Sequence, residues 1–259
     1  MYKITYGGVL LIGATESVKS ILIKMYFNET LLSSGTAFIV NSQVGPLLLT
    51  NRHNVTGKNN EDNKYLSESL AMPNRIEIFH NKKDSLGKHV IKNEKLYSDD
   101  EIPIPLWIEH PTLGASVDFV ALKLTDIEGI EIYAYTLNEG ESMTVGVAEP
   151  ISVVGFPFGL QVGNNAAVWA TGFVASEPEI DYKNLPLFLI DCRSRQGQSG
   201  SAVIAYRPSG TFNTQNGFAV VGGPVTKFLG IYSGRINKES DLGLVWKASA
   251  IRELVNSIV

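Results

Sequence analysis

The chain has 259 residues, of which 44% are hydrophobic and 19% charged, and its mean hydropathy is +0.05. This composition is typical of a folded soluble protein, and the length allows one large core or two coupled smaller ones. The 22 basic and 26 acidic residues give a net charge of −4, which argues against a nucleic-acid surface and a nucleic-acid partner.

The single cysteine, Cys192, cannot form an internal disulfide. A chain without disulfides is compatible with a reducing compartment, so we expect a cytoplasmic protein. Cys192 follows the end of an apolar run and is predicted to be a small buried residue rather than a nucleophile. The apolar stretch at 9–12 is too short to cross a membrane and a poor signal peptide, so it is predicted to be a terminal strand, and no membrane partner is expected.

Short runs rich in β-branched and aromatic residues recur between clusters of Gly, Pro and Asn, which is the pattern of an all-β protein. In chain order the predicted strands are 21–27, 35–40, 47–50, 75–79, 119–124, 152–155, 167–173, 187–191, 201–205, 227–232 and 243–247. Apolar residues at helical spacing predict a terminal helix over 248–258. The polar stretch 126–141 is the plainest linker, and the polar segments 54–74 and 81–101 are expected to be solvated loops or walls of a cleft.

The segment Gly197-Gln198-Ser199-Gly200-Ser201 has the small residues of a nucleophile loop. A serine hydroxyl needs a base and an oriented carboxylate to react at neutral pH, so the motif predicts a histidine and an acid elsewhere. All four histidines precede Ser199, which excludes the α/β-hydrolase order, in which the histidine follows the serine. An aspartate-first order would require His80, His89 or His110, and none of these has a supporting local pattern.

His53 and Asp118 have surroundings that fit the order His, Asp, Ser. His53 follows the apolar run 47–49, so a strand would deliver it to a loop, and Asp118 opens the apolar run 119–124. A buried carboxylate at that point needs a hydrogen-bonding partner, which a histidine supplies. The other three histidines are predicted to lie on the surface or in loops, and no metal-ligand pattern accompanies them, so neither a metal nor a cofactor is expected.

Together these segments resemble the trypsin-like serine proteases, especially the disulfide-free bacterial members. The matching segments are Gly35-Thr36-Ala37-Phe38, Thr50-Asn51-Arg52-His53, Val117-Asp118-Phe119, Gly155-Phe156-Pro157-Phe158-Gly159 and Gly230-Ile231-Tyr232-Ser233-Gly234. The resemblance implies an all-β fold of two six-stranded antiparallel β-barrels with a C-terminal α-helix. The N-terminal barrel, residues 1–130, would carry His53 and Asp118, and the C-terminal barrel, residues 131–259, would carry Ser199.

The resemblance also implies a serine endopeptidase that cleaves a protein or peptide substrate through an acyl-enzyme intermediate. Ser199 would attack the peptide carbonyl, His53 would transfer the proton, and Asp118 would orient the imidazole. The backbone N–H groups of Gly197 and Ser199 would form the oxyanion hole. Ser233 and Gly234 would line the substrate cleft.

Two residues depart from the family pattern. Gln198 stands where secreted members usually have an aspartate that pairs with a newly cleaved N-terminus, so activation by trimming is not expected. Arg193 falls at the base of the family's primary specificity pocket, where a guanidinium would favour a substrate carboxylate, although Arg195 is an equally available cation. These departures leave open a catalytically silent module that binds peptides or a partner protein. An esterase on the same fold, and control by a regulatory protein partner, are also open.

Overall fold

The computed structural model describes residues 2–6, 9–137, 143–163, 166–237 and 239–259. The strands within these residues are β1 (Tyr2–Tyr6), β2 (Val9–Gly13), β3 (Ser20–Phe27), β4 (Thr30–Ser42), β5 (Gly45–Thr50), β6 (Arg75–Asn81), β7 (His89–Lys95), β8 (Trp107–Ile108), β9 (Val120–Lys123), β10 (Pro150–Gly155), β11 (Val168–Val174), β12 (Leu187–Asp191), β13 (Ala202–Arg207), β14 (Thr211–Thr214), β15 (Gly217–Val220), β16 (Val225–Arg235) and β17 (Leu242–Lys247). The α-helices are α1 (Arg52–Thr56) and α2 (Ala248–Asn256), and 3-10 turns occupy Thr15–Val18 and Pro157–Gly159. No helix in the described part of the chain is both long and apolar enough to span a membrane.

Each predicted strand coincides with all or part of an observed one, and the predicted terminal helix is α2. The stretch 9–12 lies in β2, which forms an antiparallel hairpin with β1. Strands β1, β7 and β8 and the hairpin β14–β15 were not predicted. Strand β7 is mostly polar and lies at a sheet edge where it pairs with β6, so it lacks the apolar run that marks a buried strand.

The predicted all-β architecture with a C-terminal helix is confirmed, but the N-terminal half differs from the predicted six-stranded barrel in strand number and in closure. Strands β10, β11, β12, β17, β16 and β13 form a closed six-stranded barrel in that order. The N-terminal half instead forms a seven-stranded antiparallel sheet of order β7-β6-β3-β4-β5-β9-β8. The division into domains at residue 130 stays a prediction, and part of the predicted linker, residues 138–141, lies outside the described residues.

The largest hydrophobic cluster combines side chains from both halves of the molecule. Phe38 and Phe119 from the N-terminal sheet pack in it with Phe156 and Trp246 from the C-terminal barrel, and the rings of Phe119 and Trp246 lie 5.9 Å apart. Burial of a large apolar side chain stabilises a fold by about 1.5–3 kcal/mol, so this shared core holds the two halves together. The end of β5, the start of β9 and the segment before β13 all lie along this seam.

Candidate active site

His53 reaches the seam on the one-turn helix α1, which begins directly after β5, and not in an irregular loop as the sequence suggested. Asn51 stands before the helix with an extended backbone (φ −70°, ψ 147°). Its side-chain amide donates a hydrogen bond of 2.6 Å to the backbone carbonyl of Asp118. Asn51 therefore links the start of α1 to the segment that carries Asp118.

The carboxylate of Asp118 contacts His53 at two points. Oδ2 lies 2.7 Å from the imidazole Nδ1, and Oδ1 accepts a hydrogen bond of 2.9 Å from the His53 backbone N–H. The hydroxyl of Ser233 also donates to Oδ2. Only 6% of the Asp118 side chain is exposed, so these donors replace the water that a carboxylate requires. A proton on Nδ1 that faces the carboxylate leaves the lone pair on Nε2.

Two opposing effects set the pKa of His53. Burial disfavours the charged imidazolium and lowers the pKa, but the negative charge of Asp118 and its hydrogen bond raise it, and together they leave it above the ordinary value of 6.5. The carboxylate therefore does more than orient the ring. It stabilises the protonated imidazole that forms whenever His53 accepts a proton.

Ser199 lies in the loop between β12 and β13, beside His53 at the seam. Its hydroxyl donates to the backbone carbonyl of Ser233 at 3.3 Å, and among the described residues it makes no hydrogen bond to the His53 ring. The three predicted residues are thus brought to one place, with Asp118 and His53 in direct contact and the Ser199 hydroxyl turned towards β16.

The backbone around Ser199 requires glycine on both sides. Gly197 has φ 93°, and a Cβ there would lie 2.5 Å from the carbonyl oxygen of Phe156. Gly200 has φ 86°, and a Cβ would lie 2.0 Å from the carbonyl oxygen of Thr36. No described residue accepts a hydrogen bond from the N–H groups of Gly197 and Ser199. These two donors are therefore free to bind an oxyanion.

Two cavities meet at His53 and Ser199. One, of about 320 Å³, is lined by Ser33, Ser34, Leu66, Gln196 and Gly197 among others. The other, of about 620 Å³, has an apolar wall from the C-terminal half and charged residues at its rim. Its lining includes Leu66, Tyr182, Leu185, Leu187, Leu244 and Trp246, with Glu61, Lys183 and Arg235. The segment 54–74 is thus a wall of the cleft, one of the two alternatives that its polar composition allowed.

Comparison with known families settles the classification. Residues 35–208 match the sequence model of the trypsin-like peptidase domain, a range that covers more than half of the chain and includes His53, Asp118 and Ser199. This chain belongs to the trypsin-like peptidase domain family. The serine protease class that the sequence predicted is therefore confirmed at the level of the family.

One solved protease structure shares the fold of this chain. The crystal structure of the serine endoprotease from Yersinia pestis superposes with a TM-score of 0.52 at 13% identity, over 94% of this chain and 65% of that one. The chain thus spans somewhat less than two thirds of that endoprotease. The inactive form of the Rv3671c protease of M. tuberculosis gives a TM-score of 0.45 at 16% identity, over 93% of this chain and 88% of that one, a likeness too weak for further conclusions. No curated protein matches the sequence.

The predicted substrate-binding residues lie in different places. Ser233 and Gly234 line the larger cavity. Arg193 does not reach either cavity: its side chain is 78% exposed and lies 3.9 Å from Asp241. In this outward position water hydrates the guanidinium of Arg193 and Asp241 partly neutralises its charge. Burial at the base of a pocket would remove the water and leave the charge without compensation.

Gln198 is buried within the loop that carries Ser199. Its side-chain carbonyl accepts a hydrogen bond of 2.7 Å from the backbone N–H of Arg195. The loop is therefore held by a neutral bond between two of its own residues. This agrees with the expectation that a charged N-terminus has no partner at this position, although activation itself stays untested.

One of the remaining histidines, His80, was placed wrongly by sequence reasoning because it lies in β6, whereas His110 lies in a loop as predicted. His80 and His110 are buried, and only His89 is exposed. Burial lowers the pKa of His80 to about 4, assisted by the charge of Lys92, so this ring is neutral at pH 7.

Cys192 is buried as predicted, and burial raises the pKa of its thiol to about 11. No group of His, Cys, Asp and Glu in the described chain could hold a metal ion.

Sequence reasoning missed the residues that support the site. Asn51 contacts Asp118, and Leu66 lines both cavities. Ser233 was expected to line the cleft, but its hydrogen bond to Asp118 was not predicted. Asn51 could have been noticed because a buried Asn directly after a strand usually has a hydrogen-bond partner nearby. Leu66 carries no such signal, since a single leucine in a polar segment is common on protein surfaces.

Proposed function

We propose that the protein is a serine endopeptidase in which Ser199 is the nucleophile, His53 the general base and Asp118 the residue that orients and stabilises the imidazole. The observation that carries this proposal is the Asp118 carboxylate, which holds both the ring Nδ1 and the backbone N–H of His53 beside Ser199. That arrangement fixes the tautomer whose Nε2 can accept a proton.

In the proposed reaction the Ser199 Oγ forms a bond to the substrate carbonyl carbon while its proton passes to His53 Nε2. The resulting oxyanion would accept hydrogen bonds from the free N–H groups of Gly197 and Ser199. His53 then returns the proton to the departing amine as the C–N bond breaks, which leaves an acyl-enzyme. Water, deprotonated by His53, attacks the ester carbon, and the proton returns to Ser199 as the acid is released.

The orientation of the Ser199 hydroxyl favours a second candidate. Because the hydroxyl donates to Ser233 O, its proton must be redirected towards His53 before the transfer can occur. A protein in which this change is disfavoured would not turn over its substrate and would only capture peptides in the cleft. This is the binding module that the sequence left open.

The larger cavity supports a substrate class. Its wall of Leu185, Leu187, Leu244 and Trp246 is apolar, whereas Arg193 lies outside it. Sites of this kind bind apolar groups, with a few polar residues fixing orientation. We therefore expect peptide substrates with a large apolar side chain close to the scissile bond, and not the acidic residue that Arg193 suggested.

A fluorophosphonate probe distinguishes the two candidate functions, because it reacts with serines activated by a base and an oxyanion hole. The purified protein should be labelled at Ser199, and Ser199→Ala should take up no label while its thermal unfolding midpoint stays close to that of the wild type. A folded wild-type protein that is not labelled, but binds apolar peptides, would establish the binding module instead. Cytoplasmic location and a regulatory partner stay predictions.

A further inference from the structure

Thr36 lies where the N-terminal sheet touches the loop that carries Ser199. It belongs to β4 and is fully buried. Its hydroxyl donates to the carbonyl of Gly197 at 2.8 Å, and its backbone N–H donates to the carbonyl of Ser199 at 2.9 Å. One residue of the N-terminal half therefore holds both carbonyls that flank Gln198.

The hydroxyl of Thr36 is itself held on two sides. It accepts a hydrogen bond of 3.0 Å from the backbone N–H of Phe156, and the Thr36 carbonyl accepts one of 2.8 Å from the hydroxyl of Thr50. The Asn54 amide adds a longer contact of 3.3 Å to the Ser199 carbonyl. Every polar atom of Thr36 is thus used. Gly197 and Phe156 of the C-terminal half fix the hydroxyl and hence the rotamer, and Thr50 of the N-terminal half holds the backbone carbonyl.

Two further carbonyls of the loop, on either side of Gly197, complete the arrangement. Those of Gln196 and Gln198 accept hydrogen bonds from Phe158 N–H at 2.6 Å and from Ser201 N–H at 2.9 Å. In a trans peptide the N–H points opposite to the carbonyl. The N–H groups that follow Gln196 and Gln198 are the two free donors of the candidate oxyanion hole, so the bonds from Phe158 and Ser201 set the direction of these donors. The carbonyls of Gly197 and Ser199, which Thr36 binds, belong to the next peptide units, so Thr36 holds the backbone on the C-terminal side of each donor residue.

We propose that Thr36 is a positioning residue for the oxyanion hole, which holds the loop so that the N–H groups of Gly197 and Ser199 stay directed into the cleft. This inference rests on the proposed function. A valine at position 36 would fill nearly the same volume, but it would leave the carbonyl of Gly197 and the N–H of Phe156 without their partner. The loop would then relax towards other donors and misplace the oxyanion site.

The fold contains a matched control. Ser20 is also buried, and its hydroxyl also joins the two halves, through a bond of 2.7 Å to the carbonyl of Val154. Among the described residues, no hydrogen bond joins Ser20 to the nucleophile loop. Ser20→Ala therefore measures the effect of losing one buried hydroxyl bond between the halves without disturbing the loop.

The test compares wild type, Thr36→Val, Thr36→Ser and Ser20→Ala by fluorophosphonate labelling and by turnover of a peptide substrate. Thr36→Val should lower kcat and the labelling rate about 10–100-fold, the scale expected of a small misplacement, and leave KM nearly unchanged. Thr36→Ser should restore most of the rate, and Ser20→Ala should behave as wild type. The pH midpoint due to His53 should not move in Thr36→Val, because the contacts between His53 and Asp118 are untouched.

Amide hydrogen exchange of the peptide 194–201 supplies a readout that does not depend on activity. It should accelerate in Thr36→Val and not in Ser20→Ala. If Thr36→Val does not fold, Thr36→Ala, which also lacks the hydroxyl, replaces it. Wild-type kcat and exchange in the hydroxyl-free variant would overturn the inference, as would a Thr36→Ser protein as slow as Thr36→Val. If the wild type is not labelled, the proposed function is refuted but the role of Thr36 in holding the loop is not. Hydrogen exchange of the peptide 194–201 still tests that role.

Discussion

The two halves of the molecule contribute to the candidate site in different ways. The N-terminal sheet supplies His53 and Asp118, which are joined by direct bonds of 2.7 and 2.9 Å and need no rearrangement. The C-terminal barrel supplies Ser199 from a loop between strands, and its hydroxyl is turned to Ser233. The acid–base pair is therefore preorganised by side-chain contacts, whereas the nucleophile and the oxyanion donors depend on backbone geometry.

Asp118→Asn should produce the largest effect in the N-terminal half. An amide cannot accept at both oxygen positions, so either His53 loses the acceptor for Nδ1–H and takes the wrong tautomer, or its backbone N–H loses its partner. We expect kcat to fall about 10⁴-fold while labelling of Ser199 becomes correspondingly slow. Single-turnover assays, with enzyme in excess over substrate and quenched at fixed times, would measure the residual rate.

The control for Asp118→Asn is Asp126→Asn, which changes an exposed carboxylate that is paired with Lys92 and lines neither cavity. It should have wild-type kcat. An Asp118→Asn protein with more than about a tenth of the wild-type rate would contradict the preorganised pair, since a triad carboxylate contributes far more than that.

Gly197→Ala tests the C-terminal half. The substitution combines a strained φ of 93° with a Cβ placed 2.5 Å from the carbonyl of Phe156, so the loop must move and the N–H of residue 197 must turn. The loss of one oxyanion donor lowers kcat about 10²–10³-fold. The pH midpoint should stay at the wild-type value, because His53 and Asp118 are in the other half.

Gly45→Ala is the matched control for this glycine. Gly45 has φ 108°, but a Cβ there meets nothing within 4 Å. It should lower the unfolding midpoint slightly, through backbone strain of about 1–3 kcal/mol, and leave kcat unchanged. Equal rates for Gly197→Ala and wild type would show that this N–H is not used in the reaction.

The pH dependence should report the preorganised pair. Because the pKa of His53 is raised above 6.5, the neutral ring required of a base is lost as pH falls, and kcat/KM should decline about tenfold per unit below a midpoint above 6.5. The effect on stability has the opposite sign: the raised pKa stabilises the fold fully below 6.5, and this contribution disappears as pH rises through the folded-state pKa. A kcat/KM midpoint below 6.5 would contradict the role of Asp118.

The sequence predicted the parts of this molecule that have local patterns. Buried strands such as β5 and β9 carry continuous apolar runs, and His53, Asp118 and Ser199 stand next to such runs in a restrictive order. Polar edge strands such as β7 lack the pattern and were missed. The strained backbone at Gly197 could be expected, because glycine beside a nucleophile indicates a special conformation.

Contacts between distant segments could not be predicted. Thr36 and Gly197 are 161 positions apart, and nothing near Thr36 in the sequence indicates which carbonyl its hydroxyl will bind. The burial of His80 and the outward turn of Arg193 depend equally on packing around them, not on their neighbours in sequence. The site was therefore predictable in its reactive groups and not in the groups that position them.

The smallest expected effects concern the cavity wall, where Leu244 and Arg193 give opposite predictions. Leu244→Ala removes part of the apolar lining and should lower kcat/KM about tenfold for peptides with a large apolar residue near the scissile bond, with less effect on small residues. Arg193→Ala should change neither the rate nor the preference, because an exposed ion pair contributes at most about 1 kcal/mol. A peptide library profiled with both variants measures this. Loss of a preference for acidic residues in Arg193→Ala would show that the guanidinium moves into the cleft when substrate binds. The C-terminal half would then change conformation during the reaction beyond the loop that carries Ser199.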